Sequence, residues 1–183
     1  MKFIVLFLVG FIVYGCGASS VKQPASSLTD TTASSKNEIV NKEPEYKWEY
    51  SEEPDEMGDN PMKFASVEAN EKLDFAFPYQ GGSTVNLFLR NKRGKVDVIL
   101  QISKGQFLGG INGGAMLVKF DDQKPIKYTY SEPADGSTTS AFIDGSAGFV
   151  SKLKKAKRVI IETQFYQEGP RSMSFMVGGL KWK

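Results

Sequence analysis

Residues 84–103 read TVNLFLRNKRGKVDVILQIS, and this stretch decides the fold class. Val85, Leu87 and Leu89 alternate with Asn86, Phe88 and Arg90, the period of a strand that turns one face to a core. Asn91, Lys92, Arg93 and Gly94 supply a turn. Val96, Val98, Leu100 and Ile102 then resume the period, with Ile99 opposite. Two apolar alternations around a short Asn/Gly-containing turn read as a β-hairpin. Working outward, residues 115–132 (AMLVKFDDQKPIKYTYSE) repeat the pattern, turning over residues 121–124, with Pro125 opening the return strand. Residues 158–182 (RVIIETQFYQEGPRSMSFMVGGLKW) form a third hairpin that turns at residues 167–170. On the other side, residues 72–79 (KLDFAFPY) put Leu73, Phe75 and Phe77 on one side of a further predicted strand.

One segment breaks the period of two. In residues 145–158 (GSAGFVSKLKKAKR), Phe149, Val150, Leu153 and Ala156 fall on one helical stripe, while Lys152, Lys154, Lys155 and Lys157 lie largely away from it. Asp144 or Ser146 is placed to cap its start. Many short strands with one short amphipathic helix predict an all-β domain over residues 46–183. The expected architecture is a β-sandwich of jelly-roll type, without internal repeats.

The chain begins MKFIVLFLVGFIVYGC: Lys2, an apolar run from Phe3 to Val13, then Cys16, the only cysteine. The run has the length of a signal-peptide core and falls short of the roughly 20 residues that span a bilayer. A small residue before a lone cysteine resembles the bacterial lipobox. Residues 1–15 then form a lipoprotein signal peptide and Cys16 carries the lipid. Val13 suits that pattern and Tyr14 departs from it; the plain alternative is an ordinary signal peptide and a free thiol. Residues 16–45 are rich in Ser, Thr and Ala without a period, which predicts a disordered, flexible tether with an end-to-end distance of roughly 30 Å.

Composition narrows the chemistry. The formal net charge is +2, and losing the first 15 residues removes Lys2 and leaves +1. A near-neutral protein has no global field to draw it onto nucleic acid or an anionic membrane. Anchoring to the membrane is expected from lipid, since two or three buried acyl chains hold stably at about 0.8 kcal/mol per CH₂. There is no histidine, so Ser-His-Asp and Cys-His catalysis and histidine-containing zinc sites are excluded. A single cysteine permits no intramolecular disulfide, which leaves stability to the core.

From Trp48 to Trp182 the chain resembles a family of bacterial and phage-encoded envelope proteins of largely unknown function. More loosely it is similar to the TagO-like accessory proteins of type VI secretion. The resemblance rests on an opening with Trp48, Asp55 and Met57, the basic hairpin, Lys104-Gly105-Gln106-Phe107, Phe120-Asp121-Asp122, Leu153-x-x-Ala156-Lys157-x-x-Ile160-Ile161-Glu162, and the ending GPRSMSFMVGGLKW. Relatives in that family often carry two cysteines near the Lys-Gly-Gln-Phe segment, which imply a hairpin disulfide. Here residues 107–114 read FLGGINGG, so the staple is missing and a mobile glycine loop is expected. The family supplies no catalytic residue to carry over.

Several clusters admit chemistry, each beside a plainer reading. Glu49, Glu52, Glu53, Asp55, Glu56 and Asp59 offer oxygen ligands for a hard cation, but lack the EF-hand pattern and read more simply as a solvated acidic strand and loop. Lys152, Lys154, Lys155, Lys157 and Arg158 suit the phosphates of an envelope polymer or lipid headgroup, or are the wet face of the helix. Arg90, Lys92, Arg93 and Lys95 form a second anion-contact candidate at a hairpin tip, or charges that protect a sheet edge. Asp121, Asp122, Glu132 and Asp135 are the carboxylates a glycan hydrolase would need, with nothing to mark a pair. The glycines of residues 109–114 and 178–179 lack phosphate-loop spacing. Of Trp48, Tyr50, Tyr128, Tyr130, Phe165, Tyr166 and Trp182, most are expected in the core, although such residues also line carbohydrate or peptide grooves.

The sequence therefore leads to a non-enzymatic, lipid-anchored cell-envelope protein, without cofactor or metal. Its sandwich binds or scaffolds an envelope protein or polymer, and its loops present the contact surface. Gly17 after Cys16 implies the outer membrane in a Gram-negative host. The TagO-like resemblance implies a type VI secretion accessory. Alternatives are a phage- or plasmid-borne lipoprotein that modifies the host envelope and, third, a carboxylate-based envelope-glycan hydrolase.

Overall fold

The computed structural model describes residues 45–110 and 113–182. The predicted signal, Cys16 and nearly all of the tether lie outside the described residues. Nine strands and one helix follow in the order β1 (Glu49–Glu53), β2 (Met62–Glu68), β3 (Val85–Lys92), β4 (Lys95–Ile102), β5 (Gly114–Phe120), β6 (Ile126–Ser131), β7 (Ser140–Ile143), α1 (Ser146–Leu153), β8 (Arg158–Phe165) and β9 (Gly169–Met176). The fold is all-β with one short helix, as the alternation requires.

All nine strands belong to a single antiparallel sheet, ordered β1-β2-β3-β4-β7-β6-β5-β8-β9. The three predicted hairpins are its β3–β4, β5–β6 and β8–β9 pairs. Lys92 pairs with Lys95, so Arg93 and Gly94 alone make the first turn, both at positive φ. That is the two-residue loop whose twist matches the strands it joins.

The sheet curls until its two ends meet. The backbone N–H of Asn70, just past β2, donates to the carbonyl of Ser174 on β9 at 2.8 Å. Ser174 Oγ donates to the Glu71 carboxylate at 2.9 Å and accepts from Asn70 Nδ2 at 2.8 Å. The sandwich-like layers are thus halves of one sheet. Its inner face carries Ala65, Val67, Val85, Leu87, Leu89, Val98, Leu100, Ile102, Met116, Val118, Phe120, Ile143, Val159, Ile161, Met173 and Phe175, all buried. Each fully buried aliphatic or Phe side chain contributes about 1.5–3 kcal/mol.

Helix α1 buries Phe149, Val150 and Leu153, three of the four predicted stripe residues, and Ala156 is buried just beyond it. Phe149 meets Phe120 of β5 and Tyr128 of β6 edge-on, each with ring centroids 5.3 Å apart. The capping differs from expectation. Gly145 is the N-cap, in the left-handed region at φ 71°, and no side chain caps the helix. Asp144 instead accepts from Thr129 Oγ1 at 2.6 Å, and Ser146 Oγ turns back to the carbonyl of Ile143 at 3.1 Å.

Residues 74–82 are not a strand. Leu73 keeps only an isolated bridge to Ser83, and Phe75 is buried while Phe77 is 82 % exposed. Pro78 has no N–H to give a ladder, and Gly81 and Gly82 both take positive φ. The chain therefore leaves the sheet after one core contact and loops back to β3.

Candidate functional site

The two ends of the sheet differ in character. At one end the chain joins the domain: Trp48 Nε1 donates to the carbonyl of Val177 at 2.9 Å, and Gly178 has no room for a side chain against the Tyr46 ring. The N–H groups of Val177 and Gly178 donate to the carbonyl of Lys157. The end of β9, the segment after α1 and the incoming chain are therefore one neighbourhood. At the other end, about 25 Å away along the eight residues of β9, lie the 74–82 loop, residues 103–110 and the β8–β9 turn.

That far end presents aromatic side chains on a braced frame. The N–H of Tyr79 donates to the carbonyl of Ala76 at 2.9 Å, closing a turn whose central residues are Phe77 and Pro78. Glu168 accepts the N–H of Ala76 at 2.8 Å through Oε1 and a guanidinium N–H of Arg171 at 3.1 Å through Oε2. Arg171 in turn lies over the ring of Phe75, 5.9 Å from its centroid. Gln106 Nε2 donates to Tyr79 Oη at 2.8 Å, and the Gln106 carbonyl accepts the N–H of Tyr166 at 2.9 Å. Lys104 Nζ holds the carbonyl of Gln80 at 3.0 Å. Beneath, Phe165 packs against Phe75 and Phe107, with ring centroids 5.2 and 5.0 Å apart. Phe77, Leu108 and Tyr166 remain exposed on top. Loop ends carried on a rigid sheet are where binding residues concentrate.

The basic hairpin is differently arranged from its appearance in the sequence. Arg90 sits on the outer face, donating to Asp97 Oδ2 through Nη2 at 2.6 Å and Nε at 3.1 Å, with its guanidinium 5.5 Å from the centroid of Phe142. Arg93 makes a two-bond fork to Asp55, at 2.7 and 2.8 Å. These bonds hold the Asp55 carboxyl below its usual range and raise Arg93. Lys95 reaches Asp97 at 3.6 Å, and Lys92 is exposed. Register places Phe88, Ile99 and Phe142 in one outer-face row across β3, β4 and β7. They line a groove of about 340 Å³ with Arg90, Gln101, Ser137 and Thr139.

Lys152 in the last turn of α1 and Lys154 and Lys155 just past it are exposed, together with Lys157 and Arg158. They lie at the end where the chain joins the domain, and α1 packs against β4, the second strand of the basic hairpin. Of the acidic run, Asp55 is drawn to Arg93 and Glu52 to Lys63 at 3.4 Å; among the described residues no three acidic side chains gather as metal ligands. Two of the other carboxylates serve turns and connections: Asp121 Oδ1 accepts the N–H groups of both Lys157 and Arg158 at 2.9 Å, and Asp135 accepts the N–H of Ser137 at 2.9 Å.

Sequence reasoning missed the Phe77 loop, because Leu73, Phe75 and Phe77 alternate as a core strand does. The signal that marks it is Phe-Pro followed at once by Gln-Gly-Gly. No family model, curated protein or solved structure matches the chain.

Proposed function

We propose that this is a lipid-anchored cell-envelope protein whose β domain binds an envelope partner without catalysing a reaction. The membrane half of this reading rests on the apolar run that ends at Cys16. The binding half rests on one observation: the chain joins the domain at one end of the sheet, and exposed Phe77, Leu108 and Tyr166 stand on braced loops at the other. A tether entering at one end leaves the opposite loops free to meet a partner. Glu168 holds the loop backbone at Ala76 and Gln106 holds the Tyr79 hydroxyl, so little ordering entropy is lost on contact. The resemblance to TagO-like proteins would make that partner a component of a type VI secretion apparatus.

Two measurements test this. Intact mass and membrane fractionation of the full chain beside Cys16→Ser should give acyl-modified, membrane-bound protein that the variant loses. A soluble, unmodified native chain would refute the anchor. A photo-crosslinking side chain at Phe77, tested in cells, should give a discrete adduct absent when the same group replaces Leu117 on β5, which is also exposed. Identical patterns at both positions would refute the loop end as the contact.

A further inference from the structure

We propose that the end of the domain carrying Lys152, Lys154, Lys155, Lys157 and Arg158 is a membrane-apposed face that adheres to anionic phospholipid. The proposal deepens the anchored reading above by assigning the domain an orientation.

Three observations carry it. First, all five cationic side chains are exposed, and none lies within salt-bridge distance of a carboxylate among the described residues. The one acid built into their segment, Asp121, spends Oδ1 on the backbone N–H groups of Lys157 and Arg158. Arg90 and Arg93, by contrast, are each neutralised by an aspartate.

Second, the core fixes which way this segment faces. Phe149, Val150, Leu153 and Ala156 are buried. The lysines between them are therefore turned to solvent. Lys152 and Lys155 also flank an open cavity of about 430 Å³ with Phe120, Gln123, Ser151 and the carboxylate of Asp121, wide enough for a phosphate headgroup.

Third, the chain outside the described residues arrives here. Lys157 holds Val177 and Gly178 through its carbonyl, Trp48 holds Val177, and Tyr46 packs on Gly178. In the anchored reading the 29 residues that precede Glu45, with Cys16 at their start, thus attach beside the cations. Each Lys or Arg held against an anionic leaflet strengthens adhesion about fivefold, so three together give about a hundredfold. Adhesion here leaves Phe77 and Tyr166 pointing away from the membrane.

The test is the rate of amine labelling, residue by residue, of the full chain mixed with vesicles of phosphatidylcholine alone or with about one-third phosphatidylglycerol. Lys72, exposed beside Gly82 of the 74–82 loop, serves as reference. The expected result is at least threefold slower labelling of Lys152, Lys154 and Lys155 with the anionic vesicles only, fading at high salt as screening requires. Equal rates with both vesicle types overturn the proposal, whether or not the chain is vesicle-bound. Slowing by soluble polyphosphate but not by anionic vesicles assigns the face to an anionic polymer and also overturns it. Flotation of the native chain and Cys16→Ser with neutral vesicles reports the anchor separately. An absent anchor with the lysines still slowed leaves this face standing, and a working anchor with equal rates removes it.

Discussion

Trp48 donates its indole N–H to the carbonyl of Val177 at 2.9 Å, joining the start of the described domain to the end of its last strand across 129 residues. The bond belongs to a small clasp in which Tyr50 Oη also accepts the N–H of Lys181 at 2.8 Å. Together they hold the otherwise fully exposed strand β1 against the body of the domain. Trp48→Phe keeps most of the apolar contact and leaves the Val177 carbonyl without this donor. It should cost about 1–2 kcal/mol in urea unfolding with an unchanged m-value. An unaltered midpoint would show that the clasp adds nothing to stability.

The fork between Arg93 and Asp55 ties the β3–β4 turn to the β1–β2 connection. Because hydrogen bonding to Arg93 depresses the Asp55 carboxyl, the contribution is present above the unfolded value of about pH 4. It is lost as pH falls through the lower folded value. Arg93→Gln, which keeps a long side chain at this positive-φ position, should lower the thermal midpoint at pH 7, and the gap from native should narrow as pH falls into the acid range. Arg93 is half exposed, so the effect should be small. A gap that persists unchanged into acid would mean the arginine acts through packing.

Tyr130 shows the opposite sign. Burial raises its phenol above the ordinary range, and its hydroxyl donates to the carbonyl of Leu108 at 3.0 Å. The protonated form is the one the fold holds, so its contribution is full below about pH 10, where the unfolded tyrosine ionises, and is lost as pH rises beyond. Tyr130→Phe should cost about 1 kcal/mol at pH 7 and less at pH 11, compared through urea midpoints. An equal cost at both values would show that the phenol's ionisation does not enter.

Helix α1 offers a sharper contrast between faces. Phe149→Ala removes a fully buried ring wedged between Phe120 and Tyr128 and should cost about 3–5 kcal/mol. Lys152→Ala, on the exposed face, should stay within about 0.5 kcal/mol. Comparable losses at the two positions would mean the helix is not docked through its apolar stripe.

These residues also explain what could be read in advance. The β3–β4 hairpin was legible because alternation and a turn sequence agree locally, and its register alone sets Arg90 opposite Asp97. The pairing of Arg93 with Asp55 was not, since it spans 38 residues and depends on where β1 and β2 fold. Strand β2, MKFASVE, was unreadable because small Ala65 fills a core position and Phe64 lies on the outer face, which blunts the alternation. The lysines beside α1 were visible as a cluster. That they share an end with Trp48 follows only from the long-range bonds to Val177 and Lys157.

Phe75 and Phe77 were indistinguishable by pattern, yet the fold gives them opposite fates. Phe75 is buried against Phe165, whereas Phe77 is carried on a turn braced by Glu168 and Gln106 and stays 82 % exposed. Phe75→Ala should therefore cost about 3–5 kcal/mol. Phe77→Ala should leave the thermal midpoint within about 1 °C, since it removes almost no buried surface. Glu168→Gln isolates the brace. It weakens the charge-assisted bonds to Ala76 and Arg171 and should quicken amide hydrogen exchange at residue 76 with little change in global stability. If Phe77→Ala instead destabilises the domain as much as Phe75→Ala, the ring is a core residue and the loop end is not a presenting surface. If it is silent for stability while the in-cell adduct at that end disappears, the aromatic tip is there for contact.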